Sequence, residues 1–104
     1  MAREWVLTGE AYPAAEAHRL GVVNRVFEPA SLLTETERLL RIILSRGPFA
    51  VRCALEAIRR GEDMTLEEGQ RLEADLFGLV ATTQDMREGM AAFLEKRPPK
   101  FTGR

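Results

Sequence analysis

Apolar residues recur at three- and four-residue spacings along most of the chain, and each periodic stretch is bracketed by residues that start or stop helices. Leu32, Leu33, Thr36, Leu39, Leu40, Ile43 and Leu44 share one side of a helix, the stripe expected of an element that buries one face. Ser31 stands just before it as an N-cap, where a side-chain oxygen can accept an orphan N–H of the first turn. Gly47-Pro48 ends this stretch and opens the next, in which Val51, Ala54, Leu55 and Ile58 define one face up to Gly61. Thr65 and Glu68 lie three apart ahead of an apolar run, the spacing of a capping box. They predict a long helix whose core face carries Leu66, Leu72, Leu76, Phe77 and Val80. Thr82 or Thr83 caps a last helix with Met86, Met90, Phe93 and Leu94 on one side, and Pro98-Pro99 stops it.

The amino-terminal third is less regular. Pro13 and Gly21 bracket a short helix, with Pro at the first helical position and Gly just past the last. Val22, Val23, Val26 and Phe27 are β-branched or aromatic and bounded by Pro29, which predicts one short strand. No partner strand is found in the chain. Ala2 to Thr8 reads as the end of a helix whose start precedes Met1, so the chain is expected to be a piece of something longer. The predicted fold class is all-α, with about five helices and at most one short strand. Residues 1–104 are expected to form a single helical domain, in which 1–30 hold the end of the connecting helices and the short strand.

Composition narrows the function classes. The 104 residues suit one small domain, and 45% hydrophobic with 30% charged suits a globular chain. Lys plus Arg is 15 against 16 Asp plus Glu, a net charge of −1, which gives no overall pull toward nucleic acid or an anionic membrane. One Cys and one His fall short of the three or four N/S ligands of a usual zinc site, so no metal is expected. They also allow no disulfide framework, which fits a reducing compartment. The run from Leu76 to Ala81 is far shorter than the roughly 20 apolar residues that cross a bilayer. No leader-like apolar run of about 7–15 residues is present either, and a cytoplasmic location is expected.

Candidate chemistry is sparse. Glu62, Asp63, Glu67, Glu68, Glu73 and Asp75 face a single Arg71. Paired carboxylates can do acid–base work, but Glu67 and Glu68 lie in a first helical turn, where the dipole favours negative charge, and a solvated face is the better reading. Cys53 sits among Val51, Ala54 and Leu55 as a small hydrophobe would, and His18 lies on a short polar helix far from it. No phosphate loop or nucleophile elbow is present. The tail is more telling. Lys96, Arg97, Lys100 and Arg104 stand against Glu95 alone, and Phe93 lies one turn before Lys96. Dipole compensation at a helix end explains such cations; a phosphate contact beside an aromatic resting place for a purine is the functional alternative.

Four stretches resemble a known family. LTGEAYPAAEAHRLGVVNRVF (7–27), the helix from Gly47-Pro48 to Ile58, LEEGQRLEADLF (66–77) and TTQDMREGMAAFLEKRPPKF (82–101) are similar, in order and spacing, to the carboxy-terminal part of the crotonase (enoyl-CoA hydratase/isomerase) superfamily. The likeness is greatest to its enoyl-CoA hydratases, and D..EG..AF.EKR is the most specific pattern. The resemblance implies that 31–104 are the helical trimerisation and CoA-rim part, which builds trimers or hexamers, and that 1–30 end the helices connecting it to an amino-terminal β-spiral core that is absent here. It implies acyl-CoA as substrate, with no resident cofactor. It places the two catalytic glutamates and the oxyanion-hole amides upstream, so that none of Glu67, Glu68 and Glu88 is catalytic and this chain alone is inactive. The positions it does carry over are Phe77, Phe93 and Lys96, at the rim of the CoA and acyl site. A non-catalytic helical self-association module, or the tail of a crotonase-type isomerase, dehydratase or hydrolase, is the alternative.

Overall fold

The computed structural model describes residues 2–104 as an all-α chain: α1 (Ala2–Thr8), α2 (Ala14–Arg19), α3 (Leu32–Leu44), α4 (Pro48–Gly61), α5 (Leu66–Ala81) and α6 (Gln84–Leu94). No strand occurs among the described residues. The chain divides into two compact units, Met1–Thr36 and Glu37–Arg104.

In the first unit, Trp5 of α1 stacks on Tyr12, with ring centroids 4.3 Å apart and planes 14° from parallel. Pro13 is the N-cap of α2, in an extended conformation, so the helix starts one residue later than predicted. The carboxy end of α2 closes on two backbone bonds: the Gly21 N–H donates to the His18 carbonyl at 3.0 Å and the Val22 N–H to Ala17 at 2.8 Å. That 5→2 plus 6→1 pairing is a Schellman motif, and Gly21 supplies the positive φ it needs, +74°.

The same turn explains why the predicted strand from Val22 to Phe27 does not form. The N–H groups of Val22 and Val23 turn back to Ala17, and a lone strand would leave the remaining backbone groups without a ladder. β-branched composition alone does not make a strand where the backbone has no pairing partner. Ser31 does stand immediately before α3, and its hydroxyl donates to the Glu28 carbonyl at 3.1 Å.

In the second unit α4 packs along α5, and α5 also meets α6. The caps follow the sequence closely. Gly47 is the N-cap of α4 with Pro48 in its first turn. Thr65 Oγ1 accepts the Glu68 N–H at 3.3 Å while Glu68 Oε2 accepts the Thr65 N–H at 3.0 Å, completing the capping box. Thr83, not Thr82, caps α6, accepting the Met86 N–H at 3.1 Å. The prolines do not stop α6; it ends at Leu94, four residues before Pro98.

Burial departs from the predicted core. Among the described residues the apolar side chains that become buried are Cys53 and Ala92. Leu66 remains 79% exposed and Leu94 76%, and the apolar stripe of α3 is open from Leu32 to Leu44. Helical period identifies which residues share a face; it does not say that this chain holds what the face packs against.

Candidate functional site

The most ordered polar arrangement is a clasp between α6 and the residues after it. Asp85, in the first turn of α6 where the dipole favours a carboxylate, is only 6% exposed. Its Oδ1 accepts the Thr102 N–H at 2.7 Å and the Thr102 hydroxyl at 3.3 Å, and its Oδ2 accepts the Gly103 N–H at 2.8 Å. The Asp85 N–H in turn donates to the Arg104 carbonyl at 2.9 Å. One turn on, Glu88 takes both ends of the Arg97 guanidinium at 2.6 and 2.9 Å, and also the Lys100 N–H at 2.7 Å. Arg97 Nε donates to Glu95. Between these two anchors the Phe101 ring lies against Gly89, 3.5 Å from where a Cβ on that glycine would stand, and against Gly47, at 3.8 Å.

This geometry revises two expectations. The inward stripe of α6 is Asp85, Glu88, Gly89 and Ala92, at helical spacing, while Met90, Phe93 and Leu94 of the predicted core side stay exposed. The tail's surplus of three positive charges is also partly cancelled, because folding brings Asp85 and Glu88 against it. Of the tail's cationic side chains, the Arg97 guanidinium thus serves the clasp.

The Arg97 fork, followed by the Lys100 N–H, pulls the Glu88 carboxyl down from its ordinary value to about 2. Both oxygens of the Glu88 carboxylate are thereby engaged in holding the tail. Glu68 is held low by Thr65 in the capping box. Glu67 pairs with Arg71 at 2.6 Å on an exposed helix face. Glu73 is exposed, at the edge of the α4–α5 groove.

Of the three residues singled out from sequence, the structure brings two together. Phe93 sits in the last turn of α6 and is 80% exposed. Lys96 follows the C-cap Glu95, and its N–H donates to the Phe93 carbonyl at 3.3 Å. With the Arg97 N–H on the Ala92 carbonyl at 3.0 Å, this is a second Schellman closure. Its left-handed position is Lys96, at φ +53°, the one positive φ outside glycine among the described residues. Phe77 belongs to a different feature, a groove of about 800 Å³ between α4 and α5 lined also by Ala54, Ile58, Leu76 and Val80. Neither Phe93 nor Lys96 lines it. A smaller hollow, about 610 Å³, lies at the clasp beside Asp85, Glu88, Arg97 and Lys100.

Sequence reasoning missed the clasp, although Asp85, Glu88 and Arg97 all stand in the D..EG..AF.EKR pattern. The signal available was an acid pair at helical spacing ahead of a basic tail.

The helices and their order define a helical domain of the crotonase type. The chain belongs to the enoyl-CoA hydratase/isomerase family, whose model matches residues 1–104. It is 43% identical over 101 residues to a crotonyl-CoA hydratase of Syntrophomonas wolfei, covering 97% of this chain and 39% of that protein. Against a 2,3-dehydroadipyl-CoA hydratase of Escherichia coli it is 39% identical over 105 residues, covering 100% of this chain and 41% of that protein. The crystal structure of an enoyl-CoA hydratase from Bacillus anthracis superposes with a TM-score of 0.95 at 37% identity, over 99% of this chain and 40% of that one. The chain thus spans about two fifths of the length of the relatives it matches.

Proposed function

We propose that this chain provides the CoA-facing, subunit-assembling helices of an enoyl-CoA hydratase-like protein, with Phe93 and Lys96 at the nucleotide end of acyl-CoA and Phe77 toward the acyl chain. The observation that carries this reading is an exposed aromatic tied by its carbonyl to a lysine with no ion pair among the described residues. A flat apolar face beside a point charge suits a purine bearing a phosphate. Arg97, the better phosphate fork by geometry, is already taken by Glu88 and Glu95. Acyl-CoA enters as substrate, with no resident cofactor. The open apolar faces of α3, α5 and α6 support burial against copies of the chain in a trimer or hexamer. No described helix is long and apolar enough to cross a membrane, and a reducing, cytoplasmic setting suits the free Cys53.

The reacting groups belong, on this reading, to the part of the relatives that this chain does not span. The purified chain is expected to give no hydration of crotonyl-CoA; turnover abolished by mutating a residue within the chain overturns the assignment. Replacing Lys96 with Ala should remove any preference for CoA over dephospho-CoA. A second reading, self-association without CoA, is favoured by the exposure of Leu33, Leu44 and Leu94. Light scattering separates them: a soluble monomer that melts cooperatively contradicts obligate self-association.

A further inference from the structure

Lys96 occupies a backbone position that glycine fills at the end of α2. A residue with a Cβ pays about 1–2 kcal/mol to stand in the left-handed region, and helices that close this way generally put Gly or Asn there. Dipole compensation asks only for a cation near the last carbonyls of the helix, which a flexible side chain can supply from several positions. It does not ask for the backbone on both sides of the cation to be fixed.

Here both sides are fixed. Upstream, the Phe93 and Ala92 carbonyls hold the N–H groups of Lys96 and Arg97. Downstream, Glu88 grips the Arg97 guanidinium and the Lys100 N–H with one carboxylate. Glu88 is nine residues before Arg97 and twelve before Lys100, so the turn at Lys96 is bridged from the middle of α6.

We propose that Glu88, acting through Arg97, is a positioning residue that holds the left-handed Lys96 turn, next to the helix turn that carries Phe93, so that Lys96 can receive a phosphate. The inference rests on the CoA reading above and adds the device that orients the contact. Glu88 does not touch the ligand. Its carboxylate takes up the neighbouring guanidinium, so that Lys96 and not Arg97 is the cation of this turn without an ion pair among the described residues, and it fixes the segment that carries Lys96.

Calorimetric titration of the purified chain with CoA and with 3′-dephospho-CoA tests this, in Lys96→Ala, Glu88→Gln, Arg97→Lys and the Lys96→Ala/Glu88→Gln double variant. Glu88→Gln should reduce the preference for CoA over dephospho-CoA about fivefold, a coupling of ordinary size for groups in one network, with dephospho-CoA affinity held within about twofold. Arg97→Lys, which keeps the charge and loses the fork, should fall between Glu88→Gln and the parent. The double variant should be no worse than Lys96→Ala alone. If Glu88→Gln and Arg97→Lys keep the full preference while Lys96→Ala loses it, the positioning role is overturned and the CoA reading stands. Equal loss for both ligands in Glu88→Gln means a merely structural role and also overturns it. If Lys96→Ala keeps the preference, or the parent chain has none, the CoA reading falls and takes this inference with it.

Discussion

The carboxy ends of α2 and α6 are built on one hydrogen-bond pattern with two different residues at its centre. After α2 the left-handed position is Gly21, a Cβ there would meet nothing within 4 Å, and the turn closes on backbone bonds local to it. After α6 the position is Lys96, and the chain beyond it is tied back to Asp85 and Glu88. The first end is a self-contained stop. The second is a stop that carries a charged side chain, and tertiary bonds support the conformation that the side chain disfavours. A left-handed residue other than glycine is thus a marker of outside support, here traceable to two carboxylates on the inward stripe of α6.

Breaking the support should have the largest effect. Asp85→Ala strips the acceptor from the Thr102 and Gly103 N–H groups and empties a buried position; it is expected to lower unfolding stability by about 1–3 kcal/mol, read from denaturant midpoints. Gly21→Ala tests the other end. With open space around it the cost is conformational alone, about 1–2 kcal/mol, and fraying should be confined to α2 in amide exchange. Lys96→Gly should move the opposite way. Relief of the left-handed strain is partly offset by the loss of a cation near the last carbonyls, for a net gain of about 0.5 kcal/mol. If both glycine-related changes destabilise, the two ends are not equivalent in backbone terms and the comparison fails.

Acid provides the gentlest probe. The folded-state pKa of Glu88 lies below its ordinary value, so its contribution is fully present above about pH 4.5 and is lost as pH falls toward about 2. Amide protection at Lys100 should drop in that window in the parent, and should lack this step in Glu88→Gln. No change is expected between pH 6 and 8.

The open faces make a second contrast with the clasp. The α4–α5 groove and the Phe93–Leu94 side of α6 are apolar and exposed, whereas the buried stripe of α6 is acidic and small. From period alone the apolar side of α6 reads as core. The inversion arises because the partner of that stripe is the chain's own tail, with its N–H groups and Arg97, and those want carboxylates. The same cause takes Arg97 out of a simple dipole role, since its guanidinium is engaged with Glu88.

What the amino-acid order determined by itself is the helices, most of their ends, and membership in the enoyl-CoA hydratase/isomerase family. Caps such as Thr65 with Glu68, or Thr83 with the Met86 N–H, act across three residues, and so they can be read from neighbours. The strand at Val22 to Phe27 failed where composition was read without a pairing partner. Tertiary structure alone decided which stripe of α6 turns inward, that the tail returns across 17 or 18 residues to Asp85, and that Lys96 rather than Arg97 is left with a free charge. Those outcomes depend on groups distant in sequence finding one another: the acid pair stands at helical spacing, but the 17 and 18 residues between Asp85 and its partners follow no period that would name those partners.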